Sequence, residues 1–172
     1  GFDDVQLVNY SVLLSYPNTS NPNVLLLKNE AGGTIYSAHT AQETPLTPGE
    51  NDSTVAMPFN AYSGSGNATG RLVYVNYATI DDFLYLTTNL SLNLTGRICI
   101  ARYGAIYRGD KAHLAQTYGC SALIIYSDPE DYAPSGTLVY PNGPSLPPYG
   151  LQRGSLLEPE GDPLTNLVPS LG

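Results

Sequence analysis

An α/β fold of mixed β-sheets with flanking helices is predicted by two features of this sequence. Residues 97–129, RICIARYGAIYRGDKAHLAQTYGCSALIIYSDP, have the form of one βαβ unit. Elsewhere, alternating apolar runs bounded by Gly, Pro and Asn mark further strands.

Taken in order, residues 4–16 alternate and then run continuously apolar up to the Pro17-Asn18 turn signal, which predicts a long strand. Residues 23–28 and 33–37, separated by the turn-prone Glu30-Ala31-Gly32, predict a hairpin. Residues 40–53, with Pro45, Pro48 and Gly49, predict a surface loop, and residues 62–70 a second, flexible connection. Residues 71–77 alternate cleanly and predict a strand. Thr79 then opens a helix, because Thr79-x-x-Asp82 has the form of a capping box and Phe83, Leu84, Leu86 and Leu90 supply an apolar stripe up to about Asn89. The Asp81-Asp82 pair is read as first-turn acids that favour the helix dipole rather than as a catalytic pair.

Within the βαβ unit, the apolar runs 98–101 and 123–126 predict two parallel strands covered on both faces. Asp110 is placed to cap the helix between them, and Gly119 supplies its left-handed end. A right-handed crossover then puts Tyr107-Arg108-Gly109 at the helix N-terminus, beyond the carboxyl end of the first strand, where an anion can be held. Residues 128–150 carry six prolines and predict an irregular excursion. Residues 151–172 predict no element beyond a short apolar segment at Leu156-Leu157.

The length of 172 residues suits one domain, 1–172, with a sizeable core. A formal charge of −8 with seven Lys plus Arg argues against broad binding to nucleic acid or anionic membrane. Six N-x-S/T sequons begin at Asn9, Asn18, Asn51, Asn67, Asn89 and Asn93 and point to the secretory pathway. With a chain that opens at Gly1 without Met or signal h-region, they favour a fragment of a larger extracellular or membrane-anchored ectodomain. Cys99 and Cys120 flank the crossover helix. They either form a disulfide closing a loop of about 20 residues, worth about 3 kcal/mol, or remain two buried thiols.

Candidate chemistry is sparse. His39 sits in a polar loop and His113 on the exposed side of the crossover helix, and neither has the spacing of a zinc site. No phosphate-binding or dinucleotide fingerprint occurs, and Ser121 precedes its strand rather than following it, unlike a nucleophile elbow. Arg108 remains: a permanently charged fork able to grip a carboxylate with two parallel hydrogen bonds. The alternative is that Arg108 merely pairs with Asp110 or Asp128. Arg153-Gly154-Ser155 contributes to the same site if the proline-rich excursion folds back over the strand ends.

The segments VLLSYPN (12–18), RLVYVNYATIDDF (71–83), ICIARYGAIYRGDK (98–111), IIYSDPEDYAP (124–134), LQRG (151–154) and GDPLT (161–165) resemble, in order, the protease-associated or apical domain of glutamate carboxypeptidase II and its relatives. The transferrin receptor is a non-enzymatic relative. The resemblance implies a swivelling β/β/α domain that caps a zinc-dependent exopeptidase and supplies substrate contacts but no zinc ligand. The peptidase and dimerisation domains would lie elsewhere in the same polypeptide. By resemblance, Arg108 matches the arginine that holds the C-terminal carboxylate of a peptide substrate. Ser155 stands where glutamate-specific members have an asparagine for the substrate's side-chain carboxylate, and its shorter hydroxyl implies a different or broader preference. Thr165 matches part of a calcium site shared with the peptidase domain. The expectation is a lid and substrate-recognition domain, inactive alone and without its own cofactor, in a protein that carries zinc and calcium. The alternative is a receptor-like or free-standing interaction domain.

Overall fold

In the computed structural model, residues 2–7, 9, 11–38, 44–52 and 54–158 are described, with the backbone of 161–162 and 165–166. The strands are β1 (Leu26–Lys28), β2 (Thr34–Ser37), β3 (Asn60–Ala61), β4 (Leu72–Tyr74), β5 (Ile98–Arg102), β6 (Ala122–Tyr126), β7 (Gly154–Ser155), β8 (Gly161–Asp162) and β9 (Thr165–Asn166). The helices are α1 (Ile80–Leu84), which runs on into a π-helical turn at Tyr85–Asn89, α2 (Arg108–Thr117) and α3 (Pro129–Tyr132). This is the mixed α/β arrangement expected.

The central sheet has the order β4-β5-β6 with both pairings parallel, so Val73, Cys99 and Leu123 lie side by side on one face. That face is covered by the helices. Phe83 of α1 is fully buried and stacks on Tyr118, just past α2, with ring centroids 4.7 Å apart, while Val75, Leu94, Cys99, Ala101 and Ala115 close the core around them. The opposite face is only partly covered: Leu72 and Tyr74 are exposed, and Ile98 and Ile100 are half-buried. The expectation of strands covered on both faces is therefore corrected: α1 and α2 cover one face fully, and the other is only partly covered among the described residues.

The capping box forms as predicted. The Thr79 hydroxyl accepts from the Asp82 backbone N–H, and the Asp82 carboxylate accepts from the Thr79 N–H, at 3.2 and 3.0 Å. Burial alone would raise the Asp82 carboxyl, but hydrogen bonds from Asn76 and Thr79 outweigh it and hold the group below its ordinary value. A depressed carboxylate stabilises the fold above its ordinary pKa of about 3.9 and loses that contribution as pH falls through the lower, folded value. Thr79→Ala is expected to cost about 1 kcal/mol in a denaturant titration at neutral pH. The cost should shrink in strong acid, where Asp82 is protonated in wild type as well.

Several expectations need correction. Among the described residues of 4–16 no strand forms; the segment is instead held by Tyr62, whose backbone N–H donates to Ser15 Oγ and whose hydroxyl donates to the Leu13 carbonyl. The strand expected over 71–77 stops at Tyr74, because Asn76 and Ala78 adopt φ of 48° and 54° and turn the chain towards α1. The cap of α2 is Tyr107, with no side-chain cap bond; Asp110 lies inside the first turn. The excursion 128–150 contains α3, capped by the Asp128 side chain, and residues beyond 150 form the short strands β7, β8 and β9.

Other expectations match. β1 and β2 form the antiparallel hairpin, closed by Asn29 and by Gly32 at φ 84°. Gly119 ends α2 at φ 87°, and Cys99 and Cys120 are joined in a disulfide. His113 is exposed, 3.9 Å from the Glu158 carboxylate, whereas His39 lies outside the described residues.

Candidate functional site

The chain leaves β5 at the carboxyl edge of the sheet and turns through Gly104 and Ala105, both at positive φ, before α2 begins at Arg108. Lys111, one turn into α2 and fully buried, fixes this loop: its ammonium donates to the Gly104 carbonyl at 2.7 Å and to the Tyr77 carbonyl. Burial pushes the Lys111 amine down, partly opposed by the nearby Asp82 charge.

The segment after the excursion folds back over this helix end. β7 pairs in parallel with β3, Asn60 opposite Gly154 and Ala61 opposite Ser155, and the Leu156 N–H donates to the Ala61 carbonyl. Two tyrosines flanking the loop pin it down. Tyr107 Oη shares its proton between the Ser155 and Leu157 carbonyls, at 2.5 and 3.0 Å, and Tyr103 Oη donates to the Gln152 carbonyl at 3.1 Å. Gly109 makes the approach possible, because a Cβ there would stand 2.9 Å from the Leu156 carbonyl oxygen and 2.5 Å from the Tyr107 ring.

Arg108 lies in the cradle so formed. Nη2 donates to Gln152 Oε1 at 2.8 Å, whereas Nε is buried without a hydrogen-bond partner. The guanidinium carbon is 5.7 Å from the centroids of both Tyr103 and Tyr107. A Cβ at Gly154 would fall 2.4 Å from Cζ, 2.5 Å from Nη1 and 2.7 Å from Nε. Such near-equal distances set Gly154 against the flat face of the guanidinium and leave its Nε/Nη2 edge to other partners.

The other arginine at this end of the sheet is already neutralised. Arg102 Nη1 lies 3.0 Å from Glu130, 3.6 Å from Asp131 and 3.7 Å from Asp128, and its guanidinium stacks over the Tyr77 ring at 4.2 Å. Asp128 is held below the ordinary carboxylate range by the Glu130 N–H and the Tyr126 hydroxyl. Burial, with the bond to Asp128, pushes the Tyr126 phenol up. Asp128, one of the two pairing partners considered for Arg108, thus serves Arg102. Among the described residues no carboxylate stands within 4.0 Å of the Arg108 guanidinium.

Arg108 thus lies against β7 at Gly154, the residue before Ser155. The Ser155 hydroxyl accepts from the Leu157 N–H at 3.0 Å, and Arg153 points elsewhere, its Nε donating to the Ala56 carbonyl. Thr165 lies in the β8–β9 hairpin, but its side chain is outside the described residues. Ser121 is occupied by the Arg97 carbonyl. Sequence reasoning missed Gln152 and Tyr103, and named Tyr107 and Gly154 only as neighbours of Arg108 and Ser155. The available signal was the pair of short motifs YRG and QRG, which meet here.

The model of the PA domain family matches residues 68–158, which include Arg108 and most of its cradle. The chain is 36% identical over 173 residues to the glutamate carboxypeptidase 2 homolog of Caenorhabditis elegans, covering 99% of this chain and 22% of the relative. It is 37% identical over 173 residues to aminopeptidase NAALADL1 of Rattus norvegicus, covering 99% and 23%. Similarity to the probable glutamate carboxypeptidase LAMP1 of Arabidopsis thaliana is 34% over 159 residues, covering 92% and 22%. The chain thus spans about a fifth of the length of the curated relatives it matches.

Proposed function

This chain belongs to the PA domain family, as a protease-associated domain of the glutamate carboxypeptidase II kind, and on that premise we propose that it is the lid and substrate-recognition domain of a zinc exopeptidase, with Arg108 holding the C-terminal carboxylate of the peptide. The observation that carries this reading is the state of Arg108. It is a positioned guanidinium at a helix N-terminus beyond the carboxyl ends of a parallel sheet, with one neutral acceptor and an unused Nε. A carboxylate offers the two parallel acceptors that such a fork lacks.

Zinc, when bound in such a protein, activates the water that cleaves the peptide. On this reading the zinc ligands belong to the rest of a longer protein, since the chain spans only about a fifth of the relatives it matches. The same holds for most of the calcium site that would include Thr165. The role of this chain is to orient the peptide terminus, which lowers the entropy cost of attack. Support for a covered position within a larger molecule comes from the β1–β2 hairpin, which leaves Ile35 and Tyr36 62% and 56% exposed. All six sequon asparagines are exposed, which supports a glycosylated extracellular or membrane-anchored protein.

The test is an assay of the complete protein against dipeptides with acidic and neutral C-terminal residues, each also in C-terminally amidated form, with and without a chelator. Chelator-sensitive cleavage is expected, with the free acids turned over far faster than their amides. With the shorter Ser155 hydroxyl standing where glutamate-specific members have an asparagine, preference for a C-terminal glutamate should be weak. Equal handling of acids and amides would remove the carboxylate from the reading, and no cleavage of any member would favour a receptor-like protein.

Gly154 provides an independent check. In Gly154→Ala the nearest atoms met by the new Cβ belong to the end of the Arg108 side chain, and there is no positive φ to accommodate, so thermal stability should change little. The displaced guanidinium should raise KM for free-acid peptides about tenfold.

A further inference from the structure

Three features of Arg108 describe a half-filled fork. Nη2, the terminal nitrogen on the Nε side, is taken by Gln152 Oε1 at 2.8 Å; Nε is buried and unpartnered; and Gly154 covers the flat face rather than this edge. The Gln152 amide has one acceptor oxygen, here paired with Nη2, and its other terminal group is an NH2 donor that cannot serve Nε. A carboxylate presents two acceptors at the spacing of the fork, with charge assistance on both bonds. Gln152 itself is anchored through its backbone, since its carbonyl accepts from Tyr103 Oη at 3.1 Å. Its residue is otherwise exposed, so the side chain can swing into water, where its amide is solvated, without disturbing the segment over α2.

From this geometry we infer that Gln152 is an internal competitor for the Arg108 site: its side-chain amide holds the place of one carboxylate oxygen in the free protein, and the ligand binds by displacing it. The inference rests on the carboxylate reading of Arg108 and adds a regulatory contact to it. Gln152 keeps the guanidinium aligned when no ligand is present and sets a threshold that weak acceptors do not cross. A ligand carboxylate crosses it by pairing the buried Nε, which the amide leaves unpaired.

The competitor role gives opposite effects for two substitutions of one exposed side chain. Gln152→Ala removes the competitor and leaves the Tyr103 bond, which is made to the backbone. Gln152→Glu replaces it by a tethered carboxylate. The probe is N-acetylglycine, the smallest C-terminal carboxylate, with N-acetylglycinamide as its neutral control, titrated into the full 172-residue chain labelled with 15N and followed at the Arg108 Nε–Hε signal. N-acetylglycine alone should move that signal. Gln152→Ala should bind it about three- to tenfold more tightly, and Gln152→Glu at least about tenfold more weakly. Unchanged or weaker binding by Gln152→Ala, with binding abolished by Arg108→Ala, would overturn the competitor role and leave the carboxylate site standing. No response to N-acetylglycine in either wild type or Gln152→Ala would overturn both.

Discussion

Arg108→Ala in the full-length protein is expected to lower kcat/KM for peptides with a free C-terminus by about two orders of magnitude, about 3 kcal/mol for a desolvated, charge-assisted pair. The size follows from the surroundings. One guanidinium face is closed by Gly154, Tyr103 and Tyr107 stand 5.7 Å away, and Nε is shut off from water, so the charge acts with less screening than a surface cation has. Lysine should not rescue the loss. Its point charge cannot place two parallel donors on one carboxylate, so Arg108→Lys should recover less than a tenth of the wild-type constant. The defect should appear mainly in KM if the carboxylate is held equally in the ground and transition states. It should be absent with amidated peptides, whose residual turnover does not use the fork. An unchanged kcat/KM in Arg108→Ala would remove this residue from the mechanism.

The parts of the fold that could be read directly from the chain are those whose causes are local. The βαβ unit has its strands, helix and left-handed Gly119 within 33 consecutive residues (97–129), and the capping box of α1 spans Thr79 to Asp82. Where a partner is distant, pattern alone misleads. Residues 4–16 have the alternation of a strand, but strand formation needs a ladder, and the contact they make instead comes from Tyr62, 47 residues beyond Ser15. The strand expected over 71–77 is cut short at Tyr74 because Asn76 and Ala78 take positive φ, which nothing in its alternation announces.

The site divides in the same way. Arg108 could be placed from topology, since a crossover helix must begin above the carboxyl end of its strand. Its partner Gln152 lies 44 residues away across a proline-rich excursion of irregular path, and the Tyr107 bond to Ser155 spans 48. Both depend on how that excursion returns. The resemblance reached Arg108 and Ser155 but gave no account of what holds α2 against β7. Gly154 and Gly109 do that, by having no Cβ where two segments of backbone and the guanidinium must meet.

Loss of the Cys99–Cys120 disulfide is expected to destabilise the domain by about 3 kcal/mol, the loop-entropy value for a closure of this length. The cysteines are 21 residues apart with Cα atoms 5.9 Å from each other. Cys99 is fully buried on the helix-covered face of β5, and Cys120 follows the turn that ends α2, its N–H donating to the Ala115 carbonyl. The bond therefore staples the C-terminal end of α2 to the middle of the sheet. For a domain of this size, about 3 kcal/mol corresponds to a fall in Tm of about 6–12 °C. Thermal unfolding with and without reductant measures it. A Cys99→Ala, Cys120→Ala variant, insensitive to reductant, separates the cross-link from the thiol chemistry. A fall of less than about 2 °C would mean that Phe83, Tyr118 and the rest of the core hold the crossover without it. The site should respond differently from the fold. Arg108 lies at the other end of α2, where Lys111 ties the helix to the loops at Tyr77 and Gly104 and Tyr107 ties it to Ser155 and Leu157. Well below the new Tm, carboxylate affinity in the reduced chain should therefore stay within about twofold of the oxidised value. A larger loss would show that the disulfide positions Arg108 as well as stabilising the helix that carries it.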